Sequence, residues 1–337
     1  MRTWTRCTSG RTRAPRRLGA ALGTLALAGT LALGPGCSGC ARPHVKGHAA
    51  DLAGKDPAQL WVEPKDLESR DLFLGPGGRE DVPDPHANYR VVGHDTTGHS
   101  RGYDVEDDRG RLWRVKTSDE AQSEIVASRI LWAIGYHQPA LHYVKNWRMT
   151  GGGPKDVSEP GRFRLDSDHK IAGDWGWGKD NPFHGTRPFK GLIVVNLVLN
   201  NWDFGVDQNR IYEMKDGDAP TLRYVVQDVG ASLGKSRWPI GTRNHIEDFE
   251  SQGLVKRVDG DSVVFDYKSR HRLMVKNITV EDVVWTCRLL ARLSEKQWHD
   301  AFRAADYSPE LTERYLRKIR AKIDEGLALQ SGERASR

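Results

Sequence analysis

The chain has 337 residues, with 51 Lys+Arg against 45 Asp+Glu and four cysteines. The basic excess sits at one end: Arg2, Arg6, Arg11, Arg13, Arg16 and Arg17 precede residue 37 with no acidic residue among them, and setting those six aside leaves 45 against 45. A balanced remainder lacks the broad basic footprint of a nucleic-acid binder, so few cysteines make no disulfide framework, and a chain of this size has length enough to divide into lobes.

Residues 1–36 follow the arginines with LGAALGTLALAGTLAL and a break at Gly34-Pro35-Gly36, the layout of an export signal. Its 16-residue apolar core is shorter than the roughly 20 residues of a stable bilayer span. Cys37 then resembles the lipid-modified cysteine of bacterial lipoproteins, which implies export and attachment to the bacterial cell envelope through an N-terminal lipid anchor. Gly34 and Pro35 stand where those signals usually carry Leu and a small residue, and Cys40 is a second candidate. Arg16-Arg17 suggests twin-arginine export; plain secretion with an incidental cysteine is the alternative. Residues 37–88 read as a tether rich in small, polar, Gly and Pro residues, within which LWVEPKDLESRDLFL has the composition of a packed arm.

Residues 89–150 read as a β-rich lobe. YRVVG, GYDVED and RLWRVK are three strand-like runs joined by turn signals. The loop from Gly93 to Gly102, with Thr96, Thr97 and Ser100, could lay backbone N–H groups over phosphates or be an ordinary hairpin turn. Lys116 ends the third run, and a helix is predicted over 117–135, with Thr117 and Glu120 spaced as a capping box. Ala121, Ile125, Ser128, Leu131 and Trp132 share one face, with Glu124 inside the stripe. An inward carboxylate needs a cation. Lys116 is the nearest in sequence; the alternative places Lys116 in solvent and Glu124 at the stripe's edge.

Residues 151–187 are glycine-rich and polar, and read as an insertion or surface loop. Trp175 and Trp177 either stack on a sugar or peptide, or anchor the loop to its own domain. Residues 188–330 read as a mainly helical lobe, with a tail at 331–337 expected to be disordered. FKGLIVVNLVLNNWD predicts a buried helix ending at Asp203, followed by Asn209 and a hairpin, RIYEM and TLRYVVQD, that delivers Asp228. Oxygens of Asp203, Asn209 and Asp228 at one hairpin edge would suit Mg²⁺.

Phosphoryl transfer asks a protein for a cation on the phosphates, oxygens on the metal and a carboxylate beside the attacking hydroxyl. Lys116, Glu124, Asp203, Asn209 and Asp228 occur in that order. The arrangement resembles the atypical group of the protein-kinase-like superfamily that includes HipA-type bacterial kinases and phosphatidylinositol kinases, from about Tyr89 to the C-terminal helices. The resemblance implies an α+β, two-lobed protein-kinase-like fold: a small antiparallel β-sheet lobe with one helix, and a larger, mainly helical lobe. It implies ATP and Mg²⁺ as cofactors, Lys116 on the phosphates with Glu124 as its helix partner, Asp203 orienting the acceptor hydroxyl, and Asn209 and Asp228 on the metal. QDVG stands where many kinases carry DFG. Kinases place the catalytic asparagine five residues after the aspartate; Asp203 and Asn209 are six apart, so the loop is longer by one or Asp207 takes the catalytic place. No HRD triplet, kinase glycine loop or APE triplet is present, which excludes a conventional Ser/Thr/Tyr kinase.

Near the C-terminus, Thr279 with Asp282 and Ser294 with Gln297 are spaced as capping boxes, and Ser308-Pro309 opens a third helix. Arg314, Arg317, Lys318, Arg320 and Lys322 are expected on a solvated face. Three functions fit: an anchored phosphotransferase acting on a protein, lipid or small-molecule hydroxyl; a kinase-fold binding protein without turnover; and a glycan-binding or hydrolytic envelope protein using paired carboxylates.

Overall fold

The computed structural model describes residues 56–95, 101–151, 159–166, 169–205, 208–215, 220–237, 239–269 and 271–331. The expected export signal, Cys37, Cys40, the middle of the 93–102 loop, Asp207 and residues 332–337 lie outside the described residues. From Asp56 onward the arm belongs to the main core: Leu60, Leu67 and Leu72 are fully buried. Arg129, also buried, donates to the carbonyls of Leu72, Leu74 and Leu141 at 3.1, 3.0 and 2.6 Å. Gly75, at φ +80°, leaves room for that guanidinium, since a Cβ there would lie 2.3 Å from its central carbon.

Six strands, β1 (Asn88–Asp95), β2 (Arg101–Glu106), β3 (Leu112–Thr117), β4 (Leu141–Val144), β5 (Arg148–Thr150) and β6 (Gly161–Leu165), form one sheet in the order β4-β6-β3-β2-β1-β5. All neighbours are antiparallel except β1 and β5, so the sheet is mixed, where the resemblance implied an antiparallel one. The cause is a short connection. Only three residues separate β4 from β5, although they occupy opposite edges, and Cα steps of 3.8 Å bound that gap at about 15 Å. The sheet therefore curls until its edges approach, and the chain runs on from one edge to the other in the same direction. Tyr89, Val105, Trp113, Val115, Trp147 and Phe163 fill the curl. Strand alternation then puts Arg114, Lys116, Arg162 and Arg164 on the outer face.

Residues 151–187 are not a peripheral insertion. They supply β6, which sits between β3 and β4, and β7 (Lys170–Trp175), which pairs with the hairpin β8 (Asn209–Met214) and β9 (Thr221–Val225). Trp175 and Trp177 are 1% and 2% exposed, with the Trp177 ring 4.9 Å from Phe204, so neither offers a face to a sugar. Burial of both indoles stabilises the layer by a few kcal/mol in all.

Helix α1 (Glu120–Ala133) packs on β3, β4 and β6. The expected capping box at its start is not formed, because Thr117 is held in β3 opposite Arg101 and Ser118 accepts from the Glu120 N–H instead. Helices α2 (Arg187–Val198), α3 (Ile246–Glu250), α4 (Val280–Ala291), α5 (Glu295–Arg303) and α6 (Pro309–Ala328), with a hairpin of β10 (Val255–Asp259) and β11 (Ser262–Phe265), build the rest. The capping boxes at Thr279 and Ser294 form as expected, and Ser308 caps α6. Lys322 departs from the expected solvated face. It is fully buried, donating to Val198 O at 3.2 Å and to the Asn200 side chain, so it caps α2 at the root of the Asp203 loop. The result is an α+β fold of a curled sheet lobe and a helix-rich part.

Candidate functional site

Lys116 projects from the outer face of β3 because Trp113 and Val115 turn inward. Its ammonium lies 2.7 Å from Asp228 Oδ1, 3.1 Å from Glu120 Oε2 and 4.0 Å from Glu124 Oε2. Glu124 has a nearer cation than Lys116. Arg162, which faces Lys116 across the β3/β6 register, donates to Glu124 Oε2 at 3.1 Å. Glu120, one helical turn before Glu124, is bound also by Arg243, whose guanidinium stacks 5.1 Å from the Trp202 ring. Three cations and three carboxylates thus share one network where the sequence suggested a single pair.

Burial works against charge on Lys116, but Glu124, Asp228 and Glu120 outweigh it and raise its pKa above the ordinary lysine range. Burial likewise opposes charge on Asp228, and the Lys116 ammonium overcomes it and holds the carboxyl below the usual aspartate range. A depressed carboxyl pKa contributes stability above the unfolded value and loses it as pH falls through the folded one. Stability should therefore fall below about pH 4, and Asp228→Asn should flatten that acid limb in urea-unfolding midpoints measured against pH. An equally steep limb would show that the pair contributes nothing.

Asp228 follows β9 with φ +54°, a left-handed conformation that non-glycine residues rarely adopt. Neighbouring contacts hold it there. Ser123 of α1 donates to Gly230 O at 2.6 Å, and a Cβ on Gly230 would meet Glu120 Cβ at 2.8 Å. Gln227 links the remaining groups: its N–H donates to Asn209 Oδ1 at 2.9 Å, its Oε1 accepts from Arg164 at 2.6 Å, and its Nε2 donates to the Tyr212 hydroxyl at 3.1 Å. The bond from the Gln227 N–H fixes the Asn209 amide with its oxygen toward Gln227. Its Nδ2, fully buried, has no hydrogen-bond partner among the described residues.

Asp203 follows α2 on a loop framed by buried asparagines. Asn201 Nδ2 donates to Asn196 Oδ1 at 2.8 Å, and Asn201 Oδ1 accepts from the Asp203 N–H at 3.1 Å. Asp203 Oδ2 accepts from Gln208 at 3.0 Å, and Oδ1 faces His271 at 3.7 Å. Gln208 stands five residues after Asp203, the place where kinases carry asparagine, and it bonds to the carboxylate.

Lys116, Glu124 and Asp228, chosen from sequence, thus meet in one cluster; Asn209 joins through Gln227, and Asp203 sits at the start of the loop that leads to Asn209. Glu120, Arg162, Arg243, Gln208 and Gln227 were missed. Glu120 could have been found, since it shares a helix face with Glu124; the others needed the strand register or the loop path. Among the described residues no three His, Cys, Asp or Glu side chains gather as a metal cluster. Asp228 and Asn209 carry the oxygens that could serve Mg²⁺, an ion that takes one or two protein ligands together with phosphate and water.

No protein-family model matches this chain, and no curated protein matches it in sequence. Among solved structures it is similar to the Helicobacter pylori proinflammatory kinase CtkA, at 10% sequence identity and a TM-score of 0.48, over 74% of this chain and 99% of that one.

Proposed function

We propose that the chain is a kinase-like phosphotransferase that uses Mg-ATP on a hydroxyl acceptor and is held at the bacterial cell envelope by a lipid on Cys37. The observation that carries this reading is the 2.7 Å contact between Lys116 and Asp228. A strand lysine and a carboxylate 112 positions later in sequence face one another, with Asn209 joined to the residue before that carboxylate. In this role Lys116 binds phosphate, Asp228 and Asn209 hold Mg²⁺, and Asp203 aligns the acceptor. Mg²⁺ when bound would neutralise charge on the phosphates.

Calorimetry tests the reading directly. Mg-ATP should bind the full chain, and Lys116→Ala or Asp228→Ala should each weaken binding by on the order of tenfold or more, as expected for a lost charge-assisted contact. Absence of binding to the unaltered protein would remove the phosphotransferase reading. Binding without transfer to any hydroxyl would favour a kinase-fold binding protein, the second reading, which the Gln208 to Asp203 bond supports by occupying one carboxylate oxygen.

A further inference from the structure

Two segments border Trp202 and Asp203. Residues 229–246 reach them through the Trp202 indole, which donates to Thr242 O at 2.9 Å. Residues 267–280 reach them through Tyr267 and Ser269, whose hydroxyls donate to Trp202 O at 3.2 and 3.0 Å. The segments also touch each other, since the Lys268 N–H donates to Ser236 Oγ at 3.3 Å. Between Asp228 and Glu247 and between Asp266 and Glu281, the acidic residues that flank them, the two segments contain seven Lys/Arg. Arg237, Lys268, Arg272 and Lys276 are exposed. None has a carboxylate within 4.0 Å among the described residues. Beside them Ile240 and Leu273 are 60% and 68% exposed, the highest values among the exposed large hydrophobic side chains.

Unpaired cations beside protruding aliphatic side chains suit one kind of partner. An anionic bilayer attracts each nearby Lys or Arg by about 1 kcal/mol and accepts aliphatic side chains into its interface. We propose that this cationic collar docks on an anionic phospholipid surface and turns the Asp203 loop toward the membrane. The functional meaning of that orientation rests on the reading of Asp203 above; the docking itself does not. The expected anchor at Cys37 precedes Asp56 by 19 residues, a reach of up to about 65 Å, so anchoring and docking can occur together.

Hydrogen exchange of the full chain on vesicles tests the docking locally, because an anchor would be present in every arm. On vesicles containing phosphatidylglycerol, amides of 235–243 and 267–276 should exchange about tenfold more slowly than on phosphatidylcholine alone. Raising salt should return them to the faster rate. Lys268→Glu/Arg272→Glu should abolish the difference while α6 exchanges as before, and Ile240→Ser/Leu273→Ser, uncharged and surface-exposed, should reduce it should the first pair disturb folding. Equal exchange on both vesicle types, or a difference that survives both pairs, would overturn the proposal. Equal protection by soluble polyglutamate would also overturn it, assigning the collar to an acidic protein. Calorimetry with Mg-ATP reads the phosphotransferase proposal separately, so either can fail alone.

Discussion

The Asp203→Ala protein should bind Mg-ATP as tightly as the unaltered chain yet transfer phosphate on the order of 10³-fold more slowly, within the range that a positioned proton acceptor contributes. The separation is expected because other groups hold the root of the loop. Asn196, Asn200 and Asn201 are each at most 1% exposed and hydrogen-bonded. Leu233 N–H donates to Leu199 O at 2.8 Å, tying the loop's root to the segment after Asp228. Removing the side chain releases Gln208 and the side facing His271 while leaving these backbone and asparagine contacts in place. Single-turnover transfer and calorimetry on one sample measure both quantities. Wild-type transfer by Asp203→Ala, with loss in Asp207→Ala, would move the catalytic role to Asp207.

What could be read from sequence divides along the line between local and distant interactions. The caps at Thr279, Ser294 and Ser308 involve residues three apart, and the placement of Lys116 follows from alternation within one strand. These signals are local. The position of β6 is not: GRFRL lies within the glycine-rich stretch that reads as an insertion or surface loop, and only pairing with β3 and β4 makes its two arginines neighbours of Lys116 and α1. Thr117 illustrates the competition, since a sound capping spacing lost to the hydrogen bonds of a strand. Lys322 belongs to a run of basic residues, but the buried Ile319 and Ile323 on the same helix carry its stem inward to the carbonyl end of α2. In each case long-range packing overrode a local preference.

The pairing of Arg162 with Glu124 sets up the largest stability effect. Both side chains are buried, at 6% and 2% exposure, and their contact is 3.1 Å. Arg162→Met should cost about 3–5 kcal/mol, because it leaves an enclosed carboxylate whose remaining cation is shared with other groups. That cation is Lys116, 4.0 Å away and already nearer to Asp228 and Glu120. The double variant Glu124→Met/Arg162→Met should recover most of the loss, since apolar replacement of a whole buried pair is often neutral or better. Denaturant midpoints for the two single variants and the double variant give the coupling energy; additive losses would mean that the two charges do not depend on each other. The same double variant decides which carboxylate serves Lys116. Retained Mg-ATP binding would assign Glu120, the nearer group, as the helix partner of the lysine. Lost binding in a protein of normal stability would return that role to Glu124, with Arg162 holding it in place.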